Sequence, residues 1–275
     1  MMANTRPRAA GLWLALAFAL IASTVPGGLF AADPANLPSR LDPLLDRTAS
    51  VVEKSLQQLS DVASKENVSQ IKFGKNGKPE YEEHSLFDYV VLFQPSSGEP
   101  VMVESRLAKE GPSKPRNISF LLTNGFSTML LIFHPYYAGS FQFIDMGEVV
   151  VDGRTCVKVH FQHVKGLRST TALLVSGREY PIDLQGTALI NKASGEILKI
   201  EAGLEAPMDD VGLKSLQSEI IYSPISFPGV ADAYLLPTTA TIDVESLHQH
   251  WRNTHRFTNY HRFETSVKET IGSKP

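Results

Sequence analysis

Two periodicities divide the chain. In "LPSRLDPLLDRTASVVEKSLQQLSDV" the positions Leu41, Leu44, Leu45, Thr48, Val51, Val52, Leu56 and Leu59 recur at steps of three and four residues. That spacing gathers them on one face of a helix and leaves Asp46, Arg47, Glu53, Lys54 and Gln57 to solvent. The polar face is not rich in lysine or arginine, so the pattern predicts a helix laid on a sheet rather than one lying on a membrane.

From Asn67 onward the rhythm shortens to alternating runs: "NVSQIKF", "HSLFDYVVLFQ" and "VMVESRLAKE". Asn76-Gly77 and Ser97-Gly98 between them are hairpin signals, because such turns need positive φ angles that asparagine and glycine tolerate. "KEGPSKPRN" carries two prolines and no apolar residue and reads as a loop. The next stretch, "ISFLLTNGFSTMLLIFHPYYAGSF", is apolar almost all round. It predicts a helix across most of Ile118 to Phe133, started by Asn117 or Ser119 and stopped by Pro135. Gly125 weakens that helix by about 1 kcal/mol relative to alanine. The stretch is short for a membrane span, which needs about 20 residues. A helix apolar on every side must be enclosed on every side, as in the hollow of a curved sheet.

Alternation then resumes to the end. "FQFIDMGEVVV" and "RTCVKVHFQHV", joined by Asp152-Gly153, predict a hairpin with Val157, Val159 and Phe161 on one face and Lys158, His160 and Gln162 on the other. "DLQGTALINKASGEILKIEAGL" predicts a second hairpin closing at Ser194-Gly195, and "SLQSEIIYSPISF" and "YLLPTTATIDVES" supply two more strands. One-sided strands with short turns predict an α+β, mainly β fold: a large curved antiparallel sheet with an N-terminal helix and an apolar helix in its hollow. No internal repeat is visible, which argues against a propeller or solenoid.

The beginning of the chain supplies an address. Arg6 and Arg8 precede the apolar run "GLWLALAFALIAS", and "TVPGGLFAADP" follows, the layout of a secretory signal. Residues 1–32 are expected to be that signal, cleaved near Ala31 or Ala32, and residues 33–275 a single domain in the periplasm or outside the cell. The competing reading is an uncleaved anchor, for which the run is short.

Of the 26 lysines and arginines, 24 lie beyond residue 32 against 29 acidic residues, a formal charge of −5. A mildly acidic chain lacks the clustered positive charge on which phosphate affinity rests, so nucleic acid is not expected as a partner. Cys156 is the only cysteine, so no internal disulfide forms.

The order of a leading helix, a meander, "NGFSTMLLIFHP", then "GTALINKASGEILKIEA", "EIIYSP", "YLLPTTATIDV" and "WRNTHRFTNYHRF" resembles a family of uncharacterised secreted bacterial proteins. Their architecture is similar to the periplasmic lipoprotein carriers (LolA/LppX-like), an unclosed β-barrel whose hollow is plugged by helices. The likeness covers roughly Leu41 to Val267. It implies an apolar hollow that holds an acyl chain, with a lipid or an acylated protein as partner and peripheral contact with membrane components. The carriers' cavity arginine has no matched position in this chain.

Such a hollow is physically sufficient on its own terms. Enclosing an acyl chain contributes roughly 0.8 kcal/mol per buried methylene. Phe120, Leu121, Phe126, Met129, Leu130 and Phe133 are the candidate lining, with Met129 as an adaptable member. The same residues also suit a dry, filled core, and both readings stand at this point.

Catalytic signatures are sparse, and the expectation is a non-catalytic binding protein without a cofactor. No G-x-S-x-G elbow, H-E-x-x-H helix or phosphate-binding glycine loop occurs. His248 and His250 share a strand face, as a metal site or a hydrolase would use, but His255 and His261 fall on the other. Cys156 and His160 also share a face, roughly 13 Å apart at about 3.3 Å per residue, too far for a thiolate–imidazole pair. Asp209-Asp210 reads as a turn. An envelope scaffold meeting partners through an exposed apolar patch or a free strand edge is the remaining alternative.

The last segment, "QHWRNTHRFTNYHRF", alternates with Trp251, Asn253, His255 and Phe257 on one face and Arg252, Thr254 and Arg256 on the other. It predicts a long late strand closing the sheet beside "TATIDVES", its arginines pairing with Asp243 or Glu245. A bulge in its asparagine-rich middle would change the side on which Tyr260 falls.

Overall fold

The computed structural model describes residues 14–15 and 41–263, apart from 97–98, 111–126 and 176–177. Helix α1 spans Asp42–Leu59 and buries Leu44, Thr48, Val52, Ser55, Leu56 and Leu59, the face read from the spacing. A proline in its first turn costs no hydrogen bond, because the first amides of a helix lack internal partners.

Ten strands form one antiparallel sheet: β1 (Val62–Phe73), β2 (Pro79–Ser96), β3 (Glu99–Glu110), β4 (Phe141–Val151), β5 (Arg154–His163), β8 (Leu184–Asn191), β9 (Ile197–Leu204), β10 (Leu213–Ile225), β11 (Tyr234–Ser246) and β12 (His250–Arg262). Two short strands, β6 (Ala172–Val175) and β7 (Arg178–Pro181), make a small separate ladder, to which Leu14–Ala15 pair. The order across the large sheet is β3-β2-β1-β12-β11-β10-β9-β8-β5-β4. It is an unclosed barrel, with β3 and β4 as its free edges.

Three of the four predicted glycine turns fall where the sequence places them, and Ser97-Gly98 lies outside the described residues. Gly77, Gly153 and Gly195 have positive φ, and so does Asp152 at 49°. At Gly195 a side chain would meet the backbone of Arg47 and Thr48 at 3.0 Å, so this hairpin tip abuts α1 closely.

The alternation predicted for β5, β8 and β10 is the alternation observed: Val157, Val159, Phe161, Ala188, Ile190, Leu216 and Ile220 are buried. Strand β12 lies in the middle of the sheet and joins the early strands to the late ones. Its register slips between Thr258 and His261, Asn259 has φ 53°, and Tyr260 turns back to donate to the Pro237 carbonyl at 2.6 Å. That is the bulge the asparagine-rich middle suggested.

Two expectations need correction. The first strand begins at Val62, not near Asn67, because "SKEN" pairs along its whole length with β2, and Lys65, Glu66 and Asn67 also pair with β12, despite its polarity. The apolar helix expected over Ile118 to Phe133 is, in its described part, a 3-10 helix over Ser127–Phe133. Pro135 does not simply stop it: it starts a second short helix, α2 (Pro135–Ala138), for which His134 is the N-cap.

Candidate functional site

The concave face of the sheet holds two unlike regions. Near β4 and β5 it is apolar. Met129, Leu130, Leu131, Ile132 and Phe133 are each at most 2% exposed, so five consecutive residues are enclosed on all sides. The Phe133 ring lies 5.3 Å from Phe143 and 6.0 Å, edge-on, from Phe161. Of the six candidate lining residues, Met129, Leu130 and Phe133 sit here; Phe120, Leu121 and Phe126 lie outside the described residues.

Side-chain contacts pin this plug in place. Tyr137 donates its hydroxyl to Glu99 on edge strand β3 at 3.1 Å; burial and that carboxylate together push the phenol well above its ordinary pKa. His134 accepts the Tyr136 amide on Nδ1 at 3.1 Å, which requires that nitrogen to be unprotonated. Burial lowers its pKa against the opposing pull of Glu53, 4.0 Å from its other nitrogen. The Arg168 guanidinium stacks 4.1 Å from the Tyr136 ring centre.

Across β12, β1, β2 and β3 the same face is charged. Glu66 and His255 are wholly buried, and the Arg106 and Glu104 side chains are only 6% and 4% exposed. Arg106 grips Glu66 through Nε at 2.5 Å and Nη2 at 2.9 Å, and His255 Nδ1 lies 2.8 Å from Glu66 Oε1. Glu104 approaches Arg106 at 3.5 Å, and the guanidinium sits 5.0 Å over the Tyr89 ring. Burial raises the Glu66 pKa, but the hydrogen bonds from His255 and Arg106 outweigh it and hold the carboxyl below its ordinary value. Burial lowers His255, with Glu66 pulling the other way. Buried Gln70 and Asn253 extend the polar ground along β1 and β12.

This cluster escaped the sequence reading, although its signal is visible afterwards. In "VASKENVSQ", Glu66 stands in step with Val62 and Val68. In "VMVESRL" the apolar set Val101, Val103 and Leu107 opposes Met102, Glu104 and Arg106. Hydrophobic alternation would turn the valines inward, but the structure turns the charges inward: Val103 is 46% and Leu107 63% exposed.

The catalytic candidates are not brought together. His248 is exposed, while His250 contacts Asp243 at 2.8 Å, and Arg252 shares that carboxylate, as expected for the tail. Glu245 pairs instead with Lys214 at 3.4 Å. Among the described residues no three metal-binding side chains converge. Cys156 is buried, its thiol pKa raised by that burial and its sulfur facing the Arg154 carbonyl at 3.7 Å. Asp209 and Asp210 occupy a turn.

His163, in a hollow of about 460 Å³, bonds Asp183 through Nδ1 at 2.8 Å and the Arg168 carbonyl through Nε2 at 3.1 Å. Both ring nitrogens are engaged by protein partners.

No family model matches the chain, and no curated protein matches it in sequence. Solved structures do. A DUF1329 family protein from Desulfovibrio piger is 14% identical, with a TM-score of 0.40, covering 83% of this chain and 95% of its own. A LolA superfamily protein from Nitrosomonas europaea is 10% identical with a TM-score of 0.33, covering 79% and 94%. LprF from Mycobacterium bovis is 10% identical with a TM-score of 0.23, covering 82% and 98%. Likenesses this distant concern the fold alone.

Proposed function

We propose that this chain is an extracytoplasmic, non-catalytic binding protein that holds a lipid or an acyl chain, free or attached to a protein, against the apolar half of its concave face. The observation that carries the reading is the plug. Five consecutive apolar residues occupy the hollow of an open sheet, yet they sit on a 3-10 turn whose hydrogen-bond geometry is poor. An acyl chain offers the same chemistry as those side chains and exchanges for them at little cost in burial. Phe120, Leu121 and Phe126 remain proposed members of the same lining. The leader of residues 1–32 supports a periplasmic or secreted location.

Protein purified gently from its own compartment tests this directly. Solvent extraction and mass spectrometry should return acyl-bearing molecules in near-stoichiometric amount. Protein free of acyl chains, together with failure to take up a fluorescent fatty acid, would overturn the reading. A second reading, an envelope interaction protein, is favoured by one observation: apolar side chains exposed along the free edges of the sheet.

A further inference from the structure

At one end of the barrel the short helix α2 joins the two free edges of the sheet. Edge strand β4 begins at Phe141, with only Gly139 and Ser140 between it and α2, and Tyr137 of that helix donates to Glu99 on edge strand β3 at 3.1 Å. The loop after β5 reaches over from the other side. Val164 donates its amide to the Ser140 carbonyl at 2.8 Å, and the Arg168 guanidinium lies 4.1 Å from the Tyr136 ring centre. The Tyr136 and Tyr137 rings meet edge to face at 4.9 Å, so both attachments act on one helix. A helix as short as Pro135–Ala138 is not stable by itself, so its surroundings decide whether it forms.

Two histidines secure it, and they need opposite protonation. His134 caps α2 by accepting the Tyr136 amide on Nδ1 at 3.1 Å, and a proton on that nitrogen would set two donors against each other. Its other nitrogen lies 4.0 Å from Glu53 of α1, and burial lowers its pKa against the pull of that carboxylate. His163, at the end of β5, faces two acceptors: Asp183 at 2.8 Å on Nδ1 and the Arg168 carbonyl at 3.1 Å on Nε2. A carbonyl and a carboxylate both accept, so the His163–Asp183 pair holds one proton more than a neutral imidazole beside a carboxylate. That proton fixes the backbone of the residue whose guanidinium covers Tyr136. Lys165 and Glu205 border the same hollow as His163, and the Phe141 ring stands edge-on to it at 5.2 Å.

We infer that α2 is a proton-controlled clasp across the seam between β3 and β4, closed only while His134 is unprotonated at Nδ1 and the His163–Asp183 pair keeps its additional proton. This goes beyond the proposed hollow, since the clasp closes the seam whether or not a chain lies within. The two histidines respond to pH with opposite sign. The His134 cap is complete above its ordinary 6.5 and is lost as the pH falls through the lowered value in the folded chain. Alkali instead takes the proton from the His163–Asp183 pair and frees the loop. Closure is therefore tightest between the two.

Hydrogen exchange of the full chain, stripped of bound lipid and corrected for the intrinsic pH dependence of amide exchange, tests the clasp across about pH 5 to 9. Protection of the amides from Ser127 to Ala138 peaks inside that range and falls at least fivefold toward either end, while the amides of β9 and β10 stay level. His134→Asn keeps a capping acceptor that does not titrate, and it removes only the acid fall. Asp183→Asn removes only the alkaline fall, because its amide donates to Nδ1 of a neutral imidazole whose Nε2–H still meets the Arg168 carbonyl. Nitrogen-15 spectra of the wild-type imidazoles, at the pH of greatest protection, show protons on both nitrogens of His163 and none on His134 Nδ1. That readout is independent of how either variant folds.

Level protection in the wild type overturns the inference, as do falls that survive both substitutions or imidazole spectra with the opposite protonation. A fall shared by β9 and β10 overturns it as well, because the whole domain then opens rather than the clasp. None of these outcomes depends on acyl content, so the clasp and the hollow stand or fall separately.

Discussion

Around Phe133 the concave face is filled with aromatic rings; around Glu66 it is filled with paired charges. Both regions are equally shielded from water, but they depend on their neighbours differently. Ring packing is non-directional, so loss of one ring leaves the others favourably buried. A buried charge depends on its particular partner, and loss of one partner strands the other. The difference teaches where this fold tolerates exchange: a region of the first kind can accept an apolar ligand in place of side chains, and a region of the second kind cannot.

The sharpest way to break that comparison is Arg106→Met. It leaves Glu66 and Glu104 buried beside an apolar side chain, and a loss of about 3–5 kcal/mol is expected in urea unfolding. A loss below about 1 kcal/mol would show that water reaches the cluster and that the contrast is false. Phe161→Ala, in the ring region, should cost about 3 kcal/mol. Added fatty acid should restore part of that loss by filling the space, whereas it should restore nothing in Arg106→Met.

Acid distinguishes the regions without mutation. Glu66 is held below its ordinary 4.5 and His255 below its ordinary 6.5, so the folded chain binds fewer protons than the unfolded chain. Their contribution is complete above about pH 6.5. It is lost first as the pH falls through the lowered value of His255, then through that of Glu66. Melting temperature against pH should therefore decline from near neutrality downward, and His255→Gln should flatten the upper part of the decline. An unchanged profile in that variant would place the titration elsewhere, with His134 the next candidate.

The smallest effect belongs outside the hollow. Arg252 pairs with Asp243, but its side chain is half exposed, and Arg252→Ala should change stability by less than about 0.5 kcal/mol. A larger loss would mean that outward ion pairs also hold the barrel open.

Much of this was legible along the chain. The helix face at Leu44, Val52 and Leu56, the hairpins at Asp152-Gly153 and Ser194-Gly195, and the alternation of β5, β8 and β10 are local properties. They depend on side-chain spacing and on which residues tolerate positive φ, and both are written in neighbouring residues. The bulge at Asn259 belongs with them, since asparagine readily adopts that backbone.

The orientation of the early strands was decided only by the tertiary structure. Glu66, Arg106 and His255 are 40 to 189 positions apart, and each alone reads as a residue for solvent. Pairing of β12 with β1, of β1 with β2 and of β2 with β3 sets their strands in one register, and only then does each charge find the partners that make its burial tolerable. The β2–β3 register turns Val103 and Leu107 outward. Periodicity states that a strand has two faces; which face meets the hollow depends on what the neighbouring strands already hold there.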